Sequence, residues 1–411
     1  MSLKIRISKL CEIIIYIVLL LDLNLFMISK ISVASRMLYS IVVSAFVIII
    51  NLSKRKSLVY QNGIKWIRIY YIVVVFMLLA HYLHDSRMNG VSNAMFLRNS
   101  YYYLICIFSF ALIYVIDING GTEKLWNNLL AISILWTLVL LVQAFAFNKT
   151  GRLLLPYLQQ RGMYSNNTRN GMFRIEMRSV AHIMIIYCFD QLYNQRPKKK
   201  VVLLVGLLLG MITMFYVEQT RGYYIAIFLS IFAVMLYNSK NRKRFIRTYV
   251  LMTLGFGVLW RTKAIGKLFQ SIFNGNDSMA TGLVRVEGMK MFWQSFLSRP
   301  LWGCGFQETG DFVNSGLLSY YFNDCGFVGI IGQIGIWAFI IVGIMIFRFG
   351  FIVVRMLKKN SSDGSLLLGL YVFLVSSSTS LICYWNSTCL LCPILWAIFE
   401  YTYAIFKLEK S

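Results

Sequence analysis

Charge is what this 411-residue chain has least of: Asp, Glu, Lys and Arg together make up only 14% of it, where a soluble protein carries about a quarter. That is too little to cover a soluble core of this size, so a cytosolic enzyme is excluded, and the apolar content excludes a disordered chain. Acidic residues are scarcer still, 16 against 41 Lys and Arg. Histidine is limited to His81, His84 and His182, which with the eight cysteines give no zinc-ligand spacing. Metal and thiol chemistry therefore have little to stand on, and no cofactor is implied. A P-loop pattern is missing, as are internal repeats and low-complexity segments. The inner loops expected below are too short for an ATP-binding fold, so energy for any reaction must come from the substrate or a gradient.

What is abundant is apolar: 58% hydrophobic, 16% aromatic, mean hydropathy +0.65. Stretches able to cross about 30 Å of hydrocarbon, roughly 17 to 25 residues each, fall near 11–29, 37–53, 69–84, 99–117, 127–147, 178–194, 200–217, 221–238, 248–265, 325–347, 364–383 and 388–406. The expectation is an all-α polytopic integral membrane protein, one transmembrane domain over 1–411 with about twelve spans. The sixth span is diluted by His182 and Asp190, the ninth by Gly255, Gly257 and Arg261. Lys4, Arg6 and Lys9 precede the first, but its apolar run exceeds a signal peptide's and a second span follows closely, which reads as a retained anchor.

The net charge of +25 at first points to nucleic acid. Placing both termini in the cytoplasm, however, puts the basic runs at Lys54–Lys56, Lys198–Lys200, Lys240–Arg247 and Arg355–Lys359 on the inner side. Of the 41 Lys and Arg, 24 then lie inside and 17 outside, so the positive-inside rule accounts for much of the charge. No nucleic-acid partner is needed; the bilayer is the partner. The inner group is mostly Lys and the outer mostly Arg. Arg forks onto phosphate in a bidentate way, whereas Lys suits topology marking. Outer Arg also snorkel to lipid headgroups, and for any single one both readings stand.

Two outer loops are long, 148–177 and 266–324, and function concentrates in such loops. The first is polar, rich in Asn with Arg and Tyr interspersed. The second runs at helical spacing from Arg285 to Pro300, with Arg285, Met289, Phe292 and Phe296 on one face, and reads as an interfacial helix or an amphipathic lid. Asp22 and Glu400 lie within spans, either as functional groups or satisfying polar neighbours. His81 and His84 share a helix turn beside Asp85, Cys389 and Cys392 read as small hydrophobes in an apolar helix, and Cys304 and Cys325 are candidates for a disulfide. The sharpest local feature is Gln219-Thr220-Arg221-Gly222, a tight outer turn between two spans. A cation opening a helix opposes the macrodipole, and an anion shared between the guanidinium and the free N–H groups of the first turn resolves that conflict. Thr220 is the expected N-cap, and Gly222 permits close approach.

That turn, then Gly282-Leu283-Val284-Arg285 leading through Trp293 to Arg299-Pro300-Leu301-Trp302-Gly303-Cys304-Gly305-Phe306, then Asp324-Cys325-Gly326-Phe327-Val328-Gly329, resembles in order and spacing the O-antigen ligase and polymerase superfamily. The match covers roughly residues 215–335. The resemblance implies a metal-independent glycosyltransferase of the bacterial inner membrane that uses undecaprenyl-diphosphate-linked oligosaccharide at its outer face, with a flippase and a chain-length regulator as associated proteins. It implies that Arg221 and Arg285 hold the pyrophosphate, with Thr220, Gly222, Arg174, Gly303 and Gly305 around the substrate. Pre-positioned guanidiniums stabilise charge on a departing diphosphate as a metal would. Ligases of the superfamily carry a His-Asn pair where this chain has Asn314, Ser315 and Gly316, which moves the expectation from ligase toward polymerase. Asp324 and Glu308 are then the first choices for a general base. The rival classes are a ligase acting on lipid A core and a twelve-span transporter or flippase, against which the lack of repeated halves weighs.

Overall fold

The structure, a computed structural model, describes residues 2–22, 33–51, 57–154, 168–169, 172–174, 177, 179–194, 199–237, 246, 250, 276–306, 312–315, 318–321, 325–377 and 390–409. The architecture is helical. Helices α1 (Ser2–Asp22) and α2 (Val33–Asn51) lead into α3 (Leu58–Met88); α4 (Asn93–Leu104) and α5 (Phe108–Ile118) join through one 3-10 turn, and α6 (Glu123–Thr150) follows. A hairpin of β1 (Thr168–Arg169) and β2 (Met172–Phe173) precedes α7 (Ser179–Asn194), α8 (Lys200–Thr213) and α9 (Arg221–Tyr237). The remainder comprises α10 (Asn276–Ser298), a second hairpin of β3 (Phe312–Ser315) and β4 (Leu318–Tyr321), then α11 (Gly326–Ile334), α12 (Trp337–Lys358), α13 (Gly364–Ser377) and α14 (Leu391–Leu408).

Among the described residues, six helices are long and apolar enough to cross a membrane: Leu58–Met88, Asn93–Ile118, Glu123–Thr150, Lys200–Glu218, Trp337–Lys358 and Leu391–Leu408. Shorter apolar helices run over Leu38–Ile49, Gly222–Tyr237 and Gly364–Ser377. Their outward faces are apolar as well as their inward ones: Val201 is 74% exposed and Phe347 80%. Water penalises such a surface and hydrocarbon does not. Inside, large rings stack tightly, Trp396 lying 4.9 Å from Tyr70 and 4.8 Å from Phe349 by ring centroid.

Two expected spans differ from the described helices, and a third, 248–265, lies outside the described residues. The sixth became α7, only 16 residues long and enclosed by protein: Val180, Ala181, Ile183 to Ile186 and Cys188 are all buried. A helix apolar all round belongs in a core, and its neighbours α6, α8, α9 and α13 provide one. The expected span 325–347 is cut in two. Helix α11 stops at Gly335, whose φ of 61° and ψ of −139° lie where only glycine is comfortable, and α12 starts afresh. The cause is the loop after α10: the Pro300 carbonyl lies against Gly335 and accepts the N–H of Ile336 (2.8 Å). Phe292 packs on Gly332 in the same way.

Charges within the bundle are paired. Arg348 binds Glu400 through both carboxylate oxygens, at 2.6 and 2.8 Å, and sits over the rings of Trp66 and Tyr403. Asp190 accepts from Ser365 (2.6 Å) and Asn194, tying α7 to α13. The side chain of Asp22 lies outside the described residues.

Gly335→Ala is expected to destabilise the protein by about 2–3 kcal/mol through backbone strain and collision with the Pro300 carbonyl. Gly343→Ala, where an added Cβ meets only the Phe347 ring at 3.9 Å, is expected to be neutral or slightly stabilising. Thermal unfolding of the two variants in lipid nanodiscs checks the contrast.

Candidate functional site

Helix direction decides which residues share an end of the bundle. Ser57, capping α3, donates to Asp117 at the end of α5, and Lys124 at the start of α6 reaches Glu12. Those contacts mark one end. Helices α3 and α6 each run about 40 Å at 1.5 Å per residue to the opposite end, where two polar clusters sit.

The first cluster surrounds the turn after α8. That helix closes in a π-helical turn, Met214–Glu218, followed by Gln219 in the left-handed region at φ 52° and ψ 29°. Such insertions and strained residues cluster at functional sites. Glu218 is fully buried and meets His182 of α7, Oε2 to Nε2 at 2.8 Å. The His182 ring stacks on Tyr223 at 4.1 Å. The Glu218 carbonyl accepts from Arg174 Nε (2.9 Å), and Arg174 Nη2 donates to the Thr220 hydroxyl (3.1 Å). Upstream, Asn148 accepts from the Phe173 N–H and donates to the Tyr216 hydroxyl, fixing the chain that carries Arg174.

The expected N-cap differs in detail. The Thr220 carbonyl receives the N–H groups of Tyr223 (3.2 Å) and Tyr224 (3.4 Å), while its hydroxyl turns back to the Glu218 carbonyl (3.4 Å) and to Arg174. Arg221 is the first residue of α9 and Gly222 the second; the Arg221 side chain lies outside the described residues.

The second cluster is built on Asp85, in the last turn of α3 and fully buried. Its carboxylate accepts from the Phe306 N–H (2.8 Å), His84 Nδ1 (3.0 Å) and Asn89 Nδ2 (3.2 Å), with His81 Nδ1 at 3.8 Å. Phe306 is buried among Phe96, His81 and Tyr103, at 5.0, 5.4 and 6.0 Å between ring centroids. One carboxylate and one ring thus anchor the far end of the Pro300–Phe306 loop onto α3 and α4. Just before Phe306 the N–H groups of Cys304 and Gly305 donate to the carbonyls of Gly332 and Gln333 (2.8 and 2.9 Å), and at the near end the Pro300 carbonyl accepts the N–H of Ile336. Gly303 and Gly305, expected around the substrate, face protein: a Cβ on Gly303 meets the Gly332 carbonyl, and one on Gly305 meets the Asp85 carboxylate. His81 and His84 diverge, His81 standing edge-on to Trp302 and His84 stacked flat on it at 4.4 Å and 12°.

Arg285 is exposed on α10. The two arginines expected to act together stand on separate elements, since α10 packs along α11 and brings Cys325 Sγ to 3.9 Å from the Arg285 carbonyl. The expected shared face of α10 is only partly buried: Phe292 is enclosed, Met289 and Phe296 half-buried, Arg285 exposed. Cys304 and Cys325 join Phe292 in one buried cluster as free thiols, so the disulfide is not formed here. Burial pushes the Cys304 thiol up to about 12, which keeps it protonated and a poor nucleophile. Glu308 and Asp324 lie outside the described residues.

The grouping of His81, His84 and Asp85 is visible in the sequence, but the Phe306 partner of Asp85 and the His182–Glu218 pair are not. Their one signal was an acid or histidine inside an apolar helix; the partners are 221 and 36 positions away. Removing Asp85 as Ala leaves three donors without their acceptor, so the loop should loosen, at a cost of about 3 kcal/mol. Chymotrypsin is expected to cleave after Trp302, which Gly303 follows, faster in Asp85→Ala than in the parent. His182→Ala, which strands the buried Glu218, is expected to cost about 3 kcal/mol or more, and Glu218→Gln less; melting temperatures of the two variants check the order. No family model matches the chain, and no curated protein is significantly similar to it.

Proposed function

We propose that this protein is a polysaccharide polymerase of a bacterial inner membrane. It extends a glycan by transferring it from undecaprenyl diphosphate to the non-reducing end of another lipid-linked repeat unit. In this reading the chain crosses the membrane about twelve times with both termini in the cytoplasm. The end bearing Asp85, Arg174, Arg221 and Trp302 faces outward, and the loops 148–177 and 266–324 cover it.

The observation that carries the reading is the Glu218–Gly222 turn. It ends a helix in a strained conformation, starts another with a cation, and draws a second guanidinium, Arg174, onto its carbonyl and hydroxyl groups. Helix N-terminal N–H groups with guanidiniums beside them form an anion site. A lipid diphosphate is the anion that fits a membrane-embedded chain with no nucleotide-binding loop. Cleavage of its anomeric C–O bond leaves negative charge on the departing diphosphate, which Arg221 and Arg285 stabilise. The acceptor hydroxyl oxygen bonds to the anomeric carbon and its proton passes to a loop carboxylate, Asp324 or Glu308. Asp324 directly precedes Cys325, whose thiol touches the backbone at Arg285, which favours it over Glu308.

Arg221→Ala and Arg285→Ala are expected to abolish chain extension while leaving the protein level unchanged, and Arg→Lys at either position to restore little of it. Polymer of normal length in both Ala variants, on a gel of total surface glycan, would overturn the assignment. Deleting the gene separates polymerase from ligase: a lost polymerase leaves single repeat units on the cell surface, a lost ligase leaves long polymer stranded on its carrier.

A further inference from the structure

A cavity of about 310 Å³ opens beside the Asp85 clamp, lined by His84, Met88, Asn89, Arg299, Pro300 and Trp302 among others. That is the lower end of the volume of small-molecule sites, about 300–1,000 Å³. The hydrogen-bond pattern of its walls is set from behind. Asp85 as a carboxylate only accepts, so His84 must present Nδ1–H to it and Asn89 its amide nitrogen. In the neutral imidazole the atoms these two side chains have left over, His84 Nε2 and Asn89 Oδ1, are both acceptors. Across from them Arg299 is exposed and only donates, and the Trp302 ring, stacked on His84, forms an aromatic wall.

Two acceptors, one multi-donor cation and a flat ring select against a free anion, which the two lone pairs repel. They also select against a plain hydrocarbon, which leaves all three polar groups unpaired. Hydroxyl groups satisfy every partner, donating to Nε2 and Oδ1 and accepting from the guanidinium. We propose that this cavity is a carbohydrate subsite that binds the hydroxyls of a neutral sugar ring through His84, Asn89 and Arg299, with Asp85 as the positioning residue that fixes their polarity. Its place on the substrate rests on the glycosyl-transfer reading. Arg299 lies fourteen residues beyond Arg285 on and just past α10, about 20 Å along the helix. A glycan held by its diphosphate at Arg285 therefore reaches the cavity with a sugar several units from the bond being broken, so the subsite grips the chain and takes no part in the bond change.

The test uses the full chain in phospholipid nanodiscs, free of sugar-headed detergent, and ligand-observed saturation-transfer NMR. The probes are neutral trisaccharides of glucose, galactose and N-acetylglucosamine, the glycan released from the producing cell's own lipid-linked pool, and inorganic phosphate as the anionic control. At least one glycan is expected to bind, with phosphate not competing. His84→Phe keeps the ring stacked on Trp302 and removes the acceptor, and Arg299→Ala removes an exposed donor; each is expected to weaken binding about five- to tenfold. Failure of every glycan to bind, displacement by phosphate, or unchanged affinity in both variants overturns the subsite. In cells, both variants are expected to make shortened polymer. Normal polymer in them beside loss of polymer in Arg221→Ala overturns the inference alone, whereas normal polymer in Arg221→Ala overturns the polymerase reading and leaves the binding measurement to decide the subsite.

Discussion

A charge buried in a bundle whose outer face is hydrocarbon-like has no solvent to retreat to, so it persists only with partners supplied from within. Four such charges organise the described part of this protein. Glu400 takes both forks of Arg348, Asp190 takes Ser365 and Asn194, Glu218 takes His182, and Asp85 takes one backbone and two side-chain donors. Each set joins segments far apart in the chain: α12 to α14, α7 to α13, α7 to the end of α8, and α3 to the loop after α10. Hydrophobic packing supplies most of the stability but is tolerant of small slides between apolar helices. Polar ties of this kind are not, since a slide of one helical position leaves a buried group unpaired.

Two of the four ties lie at the same end and hold irregular backbone. Helices tolerate burial because their own backbone groups are satisfied, whereas a loop brought against a bundle needs outside partners. The Pro300–Phe306 loop has them at both of its ends, in the Ile336 N–H at Pro300 and, toward Phe306, in the Gly332 and Gln333 carbonyls and the Asp85 carboxylate. Its glycines allow that approach, and the broken α11–α12 rod is the other half of the same contact. The break, the glycines and the buried acid are one arrangement seen from three elements, and together they leave Arg299 and Trp302 at the rim of a cavity.

Hydropathy made the helices legible. The expected spans 69–84, 99–117 and 127–147 each fall within a described helical rod, Leu58–Met88, Asn93–Ile118 and Glu123–Thr150, because burial in lipid or in protein demands the same composition. That equivalence also explains where the described helices depart from the expected spans. Nothing in the composition of α7 distinguishes a span facing lipid from a helix facing protein, and the apolar run 325–347 carries no sign that a loop crosses it at Gly335. The turn was legible where its residues are neighbours in sequence, as in Thr220-Arg221-Gly222, where α9 begins. The polar clusters were not legible where they depend on distant partners: the roles of Asp85 and His182 are set by Phe306 and Glu218, which only the folded chain brings near. Gly303 and Gly305, which the resemblance sets around the substrate, lie against the Gly332 carbonyl and the Asp85 carboxylate.

The turn before Arg221 shows what such ties accomplish. A left-handed Gln219 costs on the order of 1–3 kcal/mol and persists only where its surroundings over-determine it. Here the surroundings are explicit: the Gln219 N–H closes on the Met214 carbonyl at 3.1 Å, its side chain donates to the Tyr216 carbonyl at 3.1 Å, Glu218 is held by His182, and Arg174 clasps the turn from outside. The strain is thus met by contacts within the protein, with no ligand required to hold the conformation. A helix terminus fixed in advance presents its N–H groups without reorganising, and preorganised dipoles in a water-poor setting act most strongly on a charge set before them. The buried His182–Glu218 pair contributes by denying the turn any other shape.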